Sequence, residues 1–191
     1  MNKFIVFSLS ALFGFGSITA EGLADVINPY EAQAESWTTF QMKEPVPVEG
    51  VMFLSFDMPS SAIPVIIPQG KVPFGYHTGG NPSYLFALSE QYDPEDEESG
   101  TFAAQVAEFI REIKMLAHDV EIISSVDTVT SQGFQAHDVT FVLPKASYPY
   151  RKCRLISLSG GNVYSLCTFS DDGQDQHERF IDSFHAEAIS E

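Results

Sequence analysis

The residues most able to do chemistry in this chain cluster near its C-terminus. Asp171, Asp172, Asp175 and Glu178 surround His177, and carboxylates with one imidazole are a donor set that a hard cation or zinc can recruit. A site of that kind would serve a cation-binding protein or a metal-dependent hydrolase. A simpler reading covers the same residues: Asp175 and Glu178 have the spacing of a helix-capping box, and the aspartates before them suit a solvated turn. The other histidines, at 77, 118, 137 and 185, are scattered. His118 falls where a helix is expected to end and suits its dipole. A serine can be paired on paper with His137 and Asp138, but adjacency in sequence is no evidence of contact. The chain has no Gly-x-Ser-x-Gly elbow, no His-Glu-x-x-His, no phosphate-cradling glycine loop and no Cys-x-x-Cys. Each of those motifs carries a specific mechanism. No residue is therefore assigned as catalytic and no cofactor is expected.

The two cysteines, Cys153 and Cys167, lie in apolar segments, Lys152–Leu158 and Val163–Phe169, separated by Ser-Gly-Gly-Asn. That is the composition of a β-hairpin. If residues 158 and 162 flank a three-residue loop, 153 and 167 stand directly opposite and a cross-strand disulfide follows. A two-residue Gly-Gly turn instead offsets the cysteines by one, onto opposite faces of the sheet, and leaves two buried thiols. Both registers remain open at this level, and either role is structural.

The N-terminus carries one charge, Lys3, before the apolar run FIVFSLSALFGFG and the small residues Ser17 to Ala20. A charged start, a short apolar stretch and a small-residue cleavage site read as a secretory signal peptide over residues 1–20. The run is shorter than the ~20 residues that span a bilayer, so no span is expected after cleavage. No cysteine near Ala20 offers a lipid acceptor. The mature chain is thus expected to be exported, periplasmic or secreted, a setting that favours a disulfide. All 26 acidic residues follow residue 20, while Lys3 is one of only 10 basic ones, so removing the leader takes the net charge from −16 to −17. Such a surface repels phosphate backbones. Nucleic acid is excluded as a natural partner, whereas cations or a basic patch on another protein are electrostatically favoured; the simpler reading of the acidic surface is solubility.

Several elements follow from pattern alone. Residues 21–50, with prolines at 29, 45 and 47, read as an extended arm or linker in which Trp37–Gln41 can pair as a strand. A single α+β domain is expected over 51–187. Within it, Val51–Met58 and Ser83–Gln91 read as strands, and the intervening prolines at 64, 68 and 73 permit only edge or irregular structure. The acidic run of Asp93, Glu95, Asp96, Glu97 and Glu98 lacks EF-hand spacing and suits the approach to a helix N-terminus. That helix is predicted from about Thr101 to His118, with apolar residues at 102, 106, 109, 110, 113 and 117 along one face. Strands are then predicted at Val120–Val126, Gly133–Leu143 and the two arms of the cysteine hairpin. A last helix spans about Asp175 to His185, burying Phe180, Ile181 and Phe184. Runs of strands interrupted by few helices indicate α+β with a mostly antiparallel sheet.

This order of segments resembles the PsbP-like α/β/α sandwich and its bacterial secreted relatives. The residues that carry the likeness are the strands MFLSFDMP and YLFALSEQY, the glycine-led strand GFQAHDVTFVLP, the basic-led hairpin RKCRLISLSGGNVYSL and the closing RFIDSF, over roughly residues 50–186. Tyr164 and the Phe180–Phe184 segment are its strongest parts, and they are packing signatures. The resemblance implies a sheet covered by helices and a role as an accessory or binding domain. It carries over no metal or photosystem residue, because no functional motif matches.

The reading that results is an exported, non-enzymatic accessory, binding or scaffold domain whose partner is another extracytoplasmic protein. The candidate contact residues are Tyr148 and Tyr150 around Pro149, and Phe74 with Tyr76, if they stand in solvent rather than pack on the core. The alternative is the cation-binding protein or metal-dependent hydrolase using residues 171–178.

Overall fold

The computed structural model describes residues 36–48, 51–65, 75–91, 101–116, 119–158 and 161–188. The expected leader at 1–20, the acidic run at 93–98, His118 and Phe74 lie outside them. Two antiparallel sheets form the frame. The larger has seven strands in the order β3-β4-β5-β9-β8-β7-β6, with β3 Ile63–Val65, β4 Gly75–His77, β5 Ser83–Gln91, β6 Glu121–Val129, β7 Gln135–Val142, β8 Tyr150–Leu158 and β9 Asn162–Ser170. The smaller runs β1-β2-β10, from β1 Trp37–Val48, β2 Val51–Pro59 and β10 His185–Ala188. Helix α1 covers Phe102–Leu116, and a short helix α2 covers His177–Asp182.

Side chains alternate across the large sheet and so build two cores. On one face Tyr84, Phe86, Ile156, Tyr164 and Leu166 pack against Leu54, Phe56 and Met58 of β2 and against Phe180, Ile181 and Phe184. Phe56 stacks on Phe86 with ring centroids 3.9 Å apart, Phe86 lies parallel to Tyr164 at 5.4 Å, and Tyr84 meets Phe180 edge-on at 5.5 Å. Aromatic contacts of this kind add to the area they bury. On the opposite face Val106, Phe109 and Ile113 of α1 press on Leu85, Val139, Phe141, Leu155 and Val163. Thr101 starts the helix, its Oγ1 accepting the Ala104 N–H at 3.1 Å, as an N-cap should.

The cysteine hairpin takes the three-residue loop. Leu158 pairs with Asn162 and Cys153 with Cys167, Gly161 at φ +83° supplies the left-handed residue that closes such a loop, and a disulfide joins the cysteines. In the proline-rich stretch, β3 with Pro64 forms one edge of the large sheet, where a missing N–H costs no ladder bond.

Three expectations need correction. The sheet is not helix-covered on both faces: α1 covers one, but the three-stranded sheet with the six-residue α2 covers the other. The architecture is α+β and mostly antiparallel, and richer in strand than a helix-covered sandwich. Second, the last helix ends at Asp182 rather than near His185, because Ser183 turns the chain; its Oγ donates to the Phe180 carbonyl at 2.7 Å. The following residues alternate exposed, buried, exposed at His185, Ala186 and Glu187, the period of a strand, and pair with β2. Third, no capping box forms at Asp175 and Glu178. Gln176 occupies the N-cap without a side-chain bond, and Asp175 Oδ1 instead accepts the His177 N–H at 3.0 Å. The strand that sequence allowed at Trp37–Gln41 extends to Val48 and pairs along β2. Among the described residues no helix is long and apolar enough to cross a membrane.

Candidate functional site

The residues of the 171–178 group are held apart by separate tasks. Asp172 Oδ1 accepts the Gln174 N–H at 2.8 Å, shaping its turn. Asp175 is fixed between the His177 N–H and the Lys152 ammonium, 3.2 Å away. His177 is buried, with Nδ1 2.8 Å from Thr168 Oγ1, and burial pushes its pKa down to about 4, so it is neutral in the fold. Asp171 and Glu178 are exposed. Among the described residues no three His, Cys, Asp or Glu side chains converge where one ion could be held.

The candidate aromatic residues are also separated. Tyr76 lies half-buried against Phe40 and Phe56, with ring centroids 5.1 and 5.7 Å away. Tyr148 is half-buried, and Tyr150 is exposed on β8 beside Gly173. Strands β5 and β9 stand between β4 and β8.

The most exposed apolar surface lies elsewhere, on β6. Among the described residues this nine-residue strand ends the large sheet opposite β3, and its Ile123, Val126 and Val129 are 56 %, 56 % and 63 % exposed. An edge strand presents unpaired N–H and C=O groups to solvent. Its carboxylates, Glu121 and Asp127, are exposed, and it carries no basic residue. Among the described residues most of the cations elsewhere are occupied within the chain. Arg111 pairs with Glu108, Lys145 with Asp119 at 2.8 Å and Lys152 with Asp175. Arg151 lies 4.8 Å over the Phe169 ring and Arg179 4.5 Å over Trp37.

The same edge carries a hydrogen-bonded chain that sequence reading missed. The five-residue turn between β6 and β7 is closed by Gly133 at φ +85°, whose N–H donates to the Thr130 carbonyl at 2.9 Å. The resulting register sets Asp127 opposite His137 and Ser125 opposite Val139. His137 is 7 % exposed; its Nδ1 is 2.7 Å from Asp127 Oδ1 and its Nε2 is 2.8 Å from Ser125 Oγ. Asp138, next to His137 in sequence, points to the other face and grips Arg154 through two bonds of 2.7 Å. The available signal was the Ser-x-Asp alternation at 125 and 127, which puts both side chains on one face of a strand; only the register adds His137.

Comparison with known proteins agrees with the fold. The solution structure of cyanobacterial PsbP (CyanoP) from Synechocystis sp. PCC 6803 is similar, with a TM-score of 0.54 and 13 % identity, over 91 % of this chain and 99 % of that one. The chain therefore has a PsbP-like fold. No protein-family model and no curated protein sequence matches it.

Proposed function

We propose that this chain is an exported accessory domain that binds another extracytoplasmic protein through strand β6. The observation that carries this reading is the exposed edge itself, with Ile123, Val126 and Val129 in solvent. A partner that adds an extended segment to such an edge gains main-chain hydrogen bonds, while alternate side chains supply specificity. The partner chemistry follows from charge: the net charge is −16, and β6 bears Glu121 and Asp127 without a cation. An extended segment mixing lysine or arginine with aliphatic residues is complementary. The PsbP-like fold supports an accessory role, and residues 1–20 support export ahead of a mature chain beginning at Glu21.

The test expresses tagged wild-type and Val126→Lys chains in the source organism, cross-links them, and identifies proteins joined to β6 peptides. A partner joined to β6 in the wild type and lost in the variant, with N-terminal sequencing giving Glu21 as first residue, supports the reading. Equal cross-linking in both chains, or an intact N-terminus in the cytoplasm, overturns it.

A further inference from the structure

Ser125, His137 and Asp127 are joined in the order that activates a serine. Asp127 Oδ1, 2.7 Å from His137 Nδ1, holds the proton on that nitrogen and leaves Nε2 as the acceptor facing Ser125 Oγ at 2.8 Å. The paired strands β6 and β7 set these distances, and Leu155 lies opposite His137 from β8, so the imidazole is held between its neighbours on the sheet. Ser125 itself is exposed and open to a reactant. A nucleophile in reach of a base, with the base oriented by a third group, is the arrangement that acyl transfer requires.

We propose that Ser125 is a nucleophile toward small, unhindered acyl esters, with His137 as its base and Asp127 as the residue that positions the imidazole. Ser125 Oγ attacks the ester carbonyl carbon as its proton passes to His137 Nε2. The bond from that carbon to the leaving alcohol oxygen breaks, and the alcohol departs with the proton from Nε2. Water, deprotonated by the same nitrogen, then attacks the acyl-serine, which releases the carboxylic acid and restores the hydroxyl. A backbone N–H of edge strand β6 would serve as donor to the developing oxyanion. The side chain of Asp127 is 94 % exposed; water screens its pairing with the imidazolium, which places the acceleration near the low end of general-base catalysis, about 10²-fold. The exposure of Ser125 and Asp127 suits a small, unhindered acyl group.

The same contacts also satisfy a buried imidazole, so the experiment reads reactivity. The disulfide-bonded chain is treated with a fluorophosphonate probe, labelled serines are mapped by peptide mass, and p-nitrophenyl acetate turnover is followed in parallel. Ser124, exposed on the opposite face of the same strand, is the internal control. We expect Ser125 to label about tenfold or more faster than Ser124, Asp127→Asn to slow that labelling about tenfold, and Ser125→Ala to abolish turnover above background. Both substituted side chains are exposed, and circular dichroism verifies the fold. Labelling of Ser125 no faster than Ser124, or an Asp127→Asn rate equal to wild type, overturns the proposal and leaves a structural contact. Neither result bears on partner binding, which Val126→Lys tests separately.

Discussion

His177 Nδ1 lies 2.8 Å from the hydroxyl of Thr168, which joins the first turn of α2 to the C-terminal part of β9 inside the core. Burial lowers the pKa of this histidine from 6.5 to about 4, with the Asp175 carboxylate opposing and the Lys152 ammonium adding to the shift. The unfolded chain therefore takes the proton first as pH falls. The stability held by the neutral ring is whole above pH 6.5 and is lost progressively below it, down to about 4. The full effect is roughly 3 kcal/mol. Urea unfolding from pH 7 to 5 should show this decline, and His177→Gln should flatten it across that interval, above the range where most carboxylates titrate. A slope unchanged in the variant would remove His177 as its source.

The disulfide closes a loop of 14 residues' separation within one hairpin. By loop-closure entropy it contributes about 3 kcal/mol, which corresponds to a loss of roughly 6–12 °C in melting temperature for a domain of this size when Cys153 and Cys167 are both replaced by serine. Calorimetry of oxidised wild type against the double variant measures it. Paired strands continue on both sides of the bridge, so the variant is expected to fold.

Gly75 faces Ala87 across β4 and β5, and a Cβ placed there would lie 2.8 Å from the Ala87 Cα and collide with the Phe86 carbonyl. Both obstacles are backbone and cannot rotate away. Gly75→Ala should cost about 1–3 kcal/mol by overpacking. Gly79, whose Cβ would meet nothing within 4 Å, is the matched control and should tolerate alanine in the same denaturation assay.

Arg154 and Asp138 form a two-bond pair on the face that also receives α2, and the bonds to Asp138 hold the guanidinium pKa above its usual value. Removing Asp138 leaves a largely buried cation without its carboxylate. Asp138→Ala should cost about 1–3 kcal/mol. Adding Arg154→Met should recover part of that loss, since an unpaired charge is dearer than an apolar side chain. A double-mutant cycle checks both statements; additive losses would show that the pair is not coupled.

Where one local rule was decisive, sequence reading matched the structure. Ser83–Gln91 is a strand to the residue, because a turn precedes it and apolar aromatic residues fill it. The hairpin alternatives reduced to one integer, the loop length, and the structure supplies it through the Leu158 and Asn162 pairing. Reading failed where two periods overlap. Phe180, Ile181 and Phe184 fit a helix, but Phe184 already belongs to the chain entering β10, and only partnership with β2 distinguishes the outcomes. The Ser125, His137 and Asp127 chain was invisible for the same reason. It depends on which residues face each other across two strands, a property of pairing rather than of either segment.

The side chain of Gln132 accepts the Ala186 N–H at 2.7 Å and donates to the Ala186 carbonyl at 3.0 Å. An amide in the β6–β7 turn thus stands in for a strand beside β10, stitching the last element of the small sheet to the far end of the large one. Strand β10 meets β2 across a separation of 130 residues, so the central strand of the small sheet has to wait for the C-terminus. Contacts at such separation form late and slowly. The tail acts as a keystone. Until the residues after Asp182 are in place, Phe86 lacks its contact with Phe184 and the aromatic core lacks Ala186, and loss of those residues would leave it that way permanently.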